Sequence, residues 1–290
     1  MKKNQGAQLN RYNIGEVELA TRVYHGDNEA ILFIHGSWDD HQAWDGMIST
    51  LATINHHTKI VYDRRGHSAS TNIVGQGQLS QDVADAIGIL QILGVKKAHI
   101  VGHSYGANIA MSLAQRHPGV IKSLFLYEPP LFGLLHGTPE LQRLQNAAKK
   151  HMLEAVKLIE NGHIEQGAIH FAEQVAFGNH SWQRIFDERT RACMLANADT
   201  WLDQSRDPER LEIGFEHLHH AKFLTTLGYG SQTLPTFAAV VDIMRQKLPL
   251  LQMVCIAGAG HGAPLSHSNE LAHAIHAHIL ESQEADSPNQ

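Results

Sequence analysis

The chain has 290 residues, 43% of them hydrophobic and 18% charged, with a formal net charge of −6. That balance suits one large α/β domain, or one domain with a sizeable insertion, and excludes a disordered or fibrous chain and a basic nucleic-acid-binding face. The only cysteines, Cys193 and Cys255 (the latter in the apolar run VCIA), do not make a disulfide framework and fit a reducing compartment.

The opening segment MKKNQGAQLNRYN carries Lys2 and Lys3 but no apolar stretch after them, so no secretory signal is expected. No apolar run reaches the length of a membrane span. The expectation is a soluble cytoplasmic protein that engages neither membrane nor nucleic acid. Its oligomeric state is not legible.

Residues 16–25 (EVELATRVYH) alternate and predict a strand. Residues 30–34, in AILFIHG, predict a short buried strand ending at glycine, and 58–62, in TKIVYDRRG, another with a charged turn after it. Residues 79–93 carry apolar side chains at helical spacing, with Ser80 placed as N-cap and Gly94 as the stop. Residues 97–102 (KAHIVG) predict the next strand, 105–117 a helix stopped by Pro118, and 121–127 a strand ended by Pro129 and Pro130. Alternation of strand and helix implies a mainly parallel sheet with helices on both faces.

That rhythm then breaks. Residues 139–217 are rich in Ala, Leu, Glu, Gln and Lys and predict several helices, the first amphipathic and stopped at Asn161-Gly162. The rhythm resumes with a strand at 221–227, a helix at 236–247, a strand at 250–256, a helix at 266–280 and a polar, frayed tail SQEADSPNQ. The fold class is therefore α/β, a doubly wound, mostly parallel sheet, with residues 1–130 and 221–290 forming the core and 131–220 inserted as a helical block.

IVGHSYGAN, residues 100–108, places Ser104 between a buried strand and a helix. In that setting a Gly-x-Ser-x-Gly turn holds the serine strained and exposed above the sheet. Gly102 and Gly106 let strand and helix pass closely. The Tyr105 N–H then faces the oxyanion formed when Ser104 attacks a carbonyl, at a helix N-terminus that adds positive potential.

A serine hydroxyl needs a base, and His261, in the glycine-flanked loop AGAGHGAP after the last strand, is the best candidate. His35-Gly36-Ser37-Trp38 ends the first buried strand, and the Ser37 N–H is a candidate second oxyanion donor.

HGSW at 35–38, YDRRGHSAS at 62–70, GHSYGA at 102–107, YEPP at 127–130 and GAGH at 258–261 follow in the order and spacing of an α/β-hydrolase, which the chain resembles over about residues 16–280 apart from the insertion. The resemblance implies an α/β-hydrolase fold, Ser104 as nucleophile, His261 as base, Ser37 and Tyr105 N–H groups as oxyanion donors, and residues 131–220 as a lid.

The sequence departs from the family at the acid. Where the family usually has an aspartate, LTTLGYGSQTLP offers Gly228-Tyr229-Gly230-Ser231-Gln232 and no carboxylate. Glu128 of YEPP, at the end of a strand on the same edge as Ser104, is the preferred replacement. Asp242, in the following helix, is the other. A Ser–His pair with Glu128 merely pinning the loop is a third arrangement.

Asp63 is expected to cap its turn, and Arg64 and Arg65 to be structural or to bind an anionic substrate group. Trp38, His103 and Phe132 are candidate substrate contacts. His41, Trp44, Phe171, Phe177, Trp182 and Trp201 are further aromatic candidates for core or pocket. The 22 histidines cluster at His56-His57, His217/His219/His220 and His273/His276/His278. Without HExxH or a cysteine partner these read as surface side chains, and no metal or cofactor is expected.

The function implied is a serine hydrolase acting on a small ester-like carbonyl compound through an acyl-enzyme. A serine at 104 argues against haloalkane dehalogenases and epoxide hydrolases, which need a carboxylate nucleophile. Two alternatives share the same residues. One is a non-hydrolytic enzyme of C–C hydrolase, lyase or perhydrolase type; the other is a ligand-binding relative with little turnover.

Overall fold

The computed structural model describes residues 7–286 apart from Gln76 and Glu212, so Lys2 and Lys3 and the last four residues, 287–290, lie outside the described residues. Short runs buried on both faces need no polar alternation, and they build the centre of the sheet. The strands are β1 (Leu9–Ile14), β2 (Val17–Tyr24), β3 (Asn28–Ile34), β4 (His57–Tyr62), β5 (Ala98–His103), β6 (Ile121–Tyr127), β7 (Thr225–Gly230) and β8 (Gln252–Ile256). They form one eight-stranded sheet in the order β1-β2-β4-β3-β5-β6-β7-β8. β1 and β2 make an antiparallel hairpin and β2 runs antiparallel to β4; every other pair is parallel.

The helices are α1 (Asp45–Ile54), α2 (Leu79–Ile92), α3 (Tyr105–Arg116), α4 (Pro139–Glu160), α5 (Ile164–Phe171), α6 (Ser181–Arg184), α7 (Glu188–Ala196), α8 (Ala198–Arg206), α9 (Pro235–Lys247), α10 (Ala263–Ser266) and α11 (Ser268–Asp286). Alternate strand residues serve opposite faces. Leu32, Ile34, Ile100, Leu124 and Leu126 pack under α2, α3 and α9. Ile31, Phe33, Val61, Val101 and Phe125 pack under α1 and α11. Helices α4–α8, which lie between β6 and β7 in sequence, build their own apolar cluster. It meets the sheet at Trp38, whose ring stacks on Trp201 at 4.9 Å and lies 5.3 Å from Phe171. No helix among the described residues is long and apolar enough to cross a membrane.

Several expectations shift. The sequence reading missed β1, a half-exposed edge strand with the polar core NRYN. It also missed α1. β7 starts at Thr225 rather than 221, because residues Glu216–His220 close a 3-10 turn first. Ser80 is not the cap of α2. The N-cap is Gln78, whose N–H donates to Gln81 Oε1 at 3.3 Å, and long-range acids take the next amides: Asp207 accepts from Leu79 N–H at 2.8 Å and Glu209 from Ser80 N–H at 3.0 Å. The tail does not fray at Ser282, since α11 continues to Asp286 and buries Ser282.

The charged turn after β4 is structural. Arg64 is 2% exposed and grips Asp82 of α2 through both Nε (3.0 Å) and Nη2 (2.9 Å). Arg65 does the same with Asp85 at 2.7 Å. Asp63 accepts from the backbone N–H groups of His41 (2.8 Å) and Ala69 (3.0 Å) and contacts the His41 ring at 2.6 Å. Both arginines are engaged with α2, in line with the structural reading of this turn and against the anionic-substrate alternative. Replacing Arg64 by Met strands Asp82 as a buried charge, so Arg64→Met is expected to lower the unfolding free energy by about 3–5 kcal/mol in urea titration.

Candidate active site

Ser104 sits where β5 turns into α3, at φ +55° and ψ −125°. A non-glycine residue holds that conformation only where its surroundings over-determine it. They do so here. A Cβ on Gly106 would come 2.1 Å from Ile34 O, and one on Gly102 would come 2.5 Å from Gly106 O, so only glycines allow the close crossing. Ser104 N–H is tied to Tyr127 O at 2.9 Å. On the neighbouring strand end Glu128 also has positive φ, +45°, while its N–H keeps the ladder going to Gly228 O at 3.1 Å.

These two strand ends and the loop after β8 converge. His261 Nε2 lies 2.9 Å from Ser104 Oγ, and His261 Nδ1 lies 2.9 Å from Glu128 Oε2. Glu128 is 1% exposed and accepts two more bonds, from Gly230 N–H and from Thr233 Oγ1–H, each at 2.8 Å. The segment after β7, vacant of acid, thus donates to a carboxylate from β6 instead of supplying one. Asp242 is exposed, bonded to Arg245 at 2.9 Å, and takes no part in this chain of bonds.

His261 is 3% exposed, stacked on Phe237 at 4.1 Å, with Phe177 at 5.2 Å and the His103 ring at 4.9 Å. Burial holds its pKa below the ordinary imidazole value, while the hydrogen bond it donates to Glu128 pulls the other way. The shift favours the neutral ring, with the Glu128 carboxyl fixed at its Nδ1 side.

A cavity of about 260 Å³ opens over Ser104 and His261, walled by Phe132, Phe171, Trp201 and Phe237 on its apolar side and by Asn108, Gln204 and Arg210 on its polar side. Ser37 and Tyr105 also line it. The peptide between Gly36 and Ser37 is held firmly: Gly36 O accepts from Arg64 Nη1–H (3.0 Å) and lies 2.9 Å from His35 Nδ1. His35 Nε2 accepts from Arg64 N–H at 3.0 Å, so the His35 proton is on Nδ1. The Ser37 hydroxyl accepts from Gln204 of α8 at 2.8 Å.

Trp38 and His103, expected as substrate contacts, are both buried, and both line a small pocket with Ser37, Ser104 and His261. Trp38 is buried in the seam between sheet and helical block, held there by its rings' stacking. His103 is buried behind the site, where its Nε2 reaches His261 O at 2.9 Å. Of the other aromatics, Trp44 packs on Phe33 at 5.3 Å, His41 binds Asp63, and Trp182 belongs to the helical block's core.

The histidine clusters do not make one site, and not all are on the surface. His57 is buried against His99, and His278 is buried between Thr226 Oγ1 and Ser123 Oγ, each 2.8 Å away. Among the described residues, Glu29/His57/His99 and Asp40/His41/Asp63 are the groups able to converge on a metal ion, and neither includes Ser104 or His261.

Sequence reading missed Gln204, Arg210, Thr233 and Phe237. Only Thr233 stood near a motif, inside the loop flagged for lacking an acid. Removing its hydroxyl leaves Glu128 short of a donor. Thr233→Val is therefore expected to lower unfolding free energy by about 1–3 kcal/mol, read by urea titration.

Residues 29–268 match the family model described as alpha/beta hydrolase fold. The chain is 33% identical over 139 residues to the uncharacterized hydrolase YraK of Bacillus subtilis, a match covering 46% of this chain and 51% of that one. It is 25% identical over 166 residues to the (E)-2-((N-methylformamido)methylene)succinate hydrolase of Acinetobacter baylyi, covering 57% of each. These matches span little more than half the length of either relative. Among solved structures, a thermophilic esterase from Thermogutta terrifontis superposes with a TM-score of 0.74 at 20% identity, over 95% of this chain and 99% of that one.

Proposed function

The chain belongs to the α/β-hydrolase-fold family, and from that premise we propose that it is a serine hydrolase acting on a small ester-like substrate. The observation that carries the reading is the unbroken line of bonds from Glu128 through His261 to Ser104. In it, Ser104 gives its proton to His261 and attacks the carbonyl. Glu128 holds the ring's tautomer and stabilises the imidazolium that forms. His261 then returns the proton to the leaving group and activates the water that clears the acyl-enzyme.

The Ser37 and Tyr105 N–H groups are the oxyanion donors of this proposal. A trans peptide points its N–H opposite its C=O. Because Gly36 O is drawn to Arg64 and His35, the Ser37 N–H faces away from them. A Cβ built on Gly36 would lie 3.3 Å from Ser104 Cβ, so the loop borders the nucleophile. The Tyr105 N–H starts α3, where helix amides are free to bind an anion.

Residues 131–220 act as the lid, and the cavity they help wall has the size of a small molecule. A cytoplasmic setting goes with the same reading, supported by two unpaired cysteines. The A. baylyi relative, named as a hydrolase of a succinate derivative, is in keeping with a small carbonyl substrate.

A fluorophosphonate probe should label the wild-type protein and not Ser104→Ala; a wild-type protein that stays unlabelled overturns the reading. On 4-nitrophenyl esters, Glu128→Gln is expected to lower kcat by roughly 10³–10⁴-fold. The base must be neutral, and burial keeps His261 below its ordinary value of 6.5. The acid limb of kcat/KM should therefore fall below that pH. Glu128→Gln removes what raises the ring's pKa and should move the limb lower still.

A further inference from the structure

Arg210 stands in the wall of the cavity that holds Ser104, on the 3-10 turn Pro208–Leu211. The acids beside it in sequence are engaged elsewhere. Asp207 accepts from Leu79 N–H at 2.8 Å and from Glu209 N–H at 3.0 Å. Glu209 accepts from Ser80 N–H at 3.0 Å and meets Arg116 at 3.4 Å. Both therefore face the start of α2, and the guanidinium between them lines the cavity. Its Nε–H donates to Ser205 O at 2.9 Å, which fixes the plane of the group. Among the described residues it has no ion-pair partner.

A guanidinium carries five N–H donors, so four remain to be matched here. Burial pulls its pKa below the ordinary arginine value, and the nearby Tyr105 and Asp207, which act the other way, do not make this up. A half-buried, unpaired cation facing a cavity is a costly arrangement unless an anion completes it.

Two more polar groups on the same wall lack partners. The Tyr105 hydroxyl and the Asn108 side-chain oxygen are buried and unbonded, on residues only 3% and 2% exposed. The hydroxyl is a donor, and the Asn108 amide, turned over, presents N–H of the same shape. Among the described residues lining the cavity, Glu216 is the one acid; it is exposed, and its Oε2 accepts from Phe215 N–H at 3.0 Å.

Resting on the hydrolase reading above, we propose that Arg210, with Tyr105 Oη and Asn108 beside it, is an anion subsite, and that the substrate carries a carboxylate remote from the scissile carbonyl. The guanidinium fork suits a carboxylate's two oxygens. The apolar wall of Phe132, Phe171, Trp201 and Phe237 takes the hydrocarbon between the two ends.

The Ser104→Ala protein separates binding from turnover. In calorimetric titration, monomethyl adipate should bind it more tightly than dimethyl adipate. Adding Arg210→Met should weaken the anion by about 10- to 100-fold, the range for a hydrogen bond to a charged group, and erase its advantage; Arg210→Lys should restore part of it. Equal binding of the two compounds, binding of neither, or an anion preference that survives Arg210→Met overturns the subsite. In the serine-bearing protein, the kcat/KM ratio of 4-nitrophenyl hydrogen adipate over its methyl ester should follow the same order. Anion preference in binding without Ser104-dependent turnover of either ester would strike the hydrolase reading and leave the subsite standing.

Discussion

Arg64 is a fully buried cation, and that placement is tolerable only because every direction its guanidinium faces is answered. Asp82 of α2 takes Nε and Nη2, Gly36 O takes Nη1, and Gln204 of α8 lies 3.4 Å from Nη2. One side chain on the loop after β4 therefore ties together a core helix, the loop after β3 and a helix of the inserted block. A buried ion pair of this kind adds little net stability over an apolar substitute, but breaking one side of it is severe. Its use is positional. It dictates where Gly36 O points, hence where the Ser37 N–H points, and Gln204, which it also contacts, sets the Ser37 hydroxyl from the inserted block.

The same logic accounts for the displaced acid. β6 and β7 are adjacent and parallel, paired through Tyr127 and Gly228. A side chain leaving the end of either strand reaches the same region. With Glu128 at positive φ its carboxylate meets His261 Nδ1, and the end of β7 need only supply donors. Gly230 N–H and Thr233 Oγ1–H do so. Glycine at 230 is required by packing as well, since a Cβ there would lie 2.2 Å from Ala259 O. An acid with three hydrogen-bond partners is held in one orientation, which is what an imidazole partner needs.

The parallel core, Ser104, His261 and Glu128 were legible because each rests on a local pattern: an apolar run, a glycine-flanked turn, a carboxylate at a strand end. What stayed illegible depends on partners far along the chain. The first amides of α2 are met by Asp207 and Glu209, on the far side of the inserted helices, so the nearer Ser80 looked like the cap. Arg64 and Arg65 read as structural, but their partners Asp82 and Asp85 are recognisable only once α2 is packed on the sheet. Trp38 and His103 flank the motifs that carry the chemistry, yet their side chains turn into the core, and sequence adjacency does not report side-chain direction. Gln204 and Arg210 come from a helical stretch whose apolar spacing describes its own packing and not the cavity below it.

Two opposing influences meet at His261. Phe237 and Phe177 desolvate the ring and favour its neutral form; Glu128 favours the charged form. Burial outweighs the bond to Glu128 and favours the neutral ring. In the proposed mechanism, the imidazolium formed by proton transfer from Ser104 lies against the Glu128 carboxyl, which Gly230 and Thr233 hold in place. No solvent has to reorganise around the new charge. The apolar cover thus strengthens the interaction that makes the charge acceptable, since a pair excluded from water attracts more strongly than one immersed in it. Phe177 belongs to the inserted block and Phe237 to α9 of the core. The dielectric around the base therefore depends on the block staying closed over the sheet, and its packing is part of the chemistry of the ring beneath it.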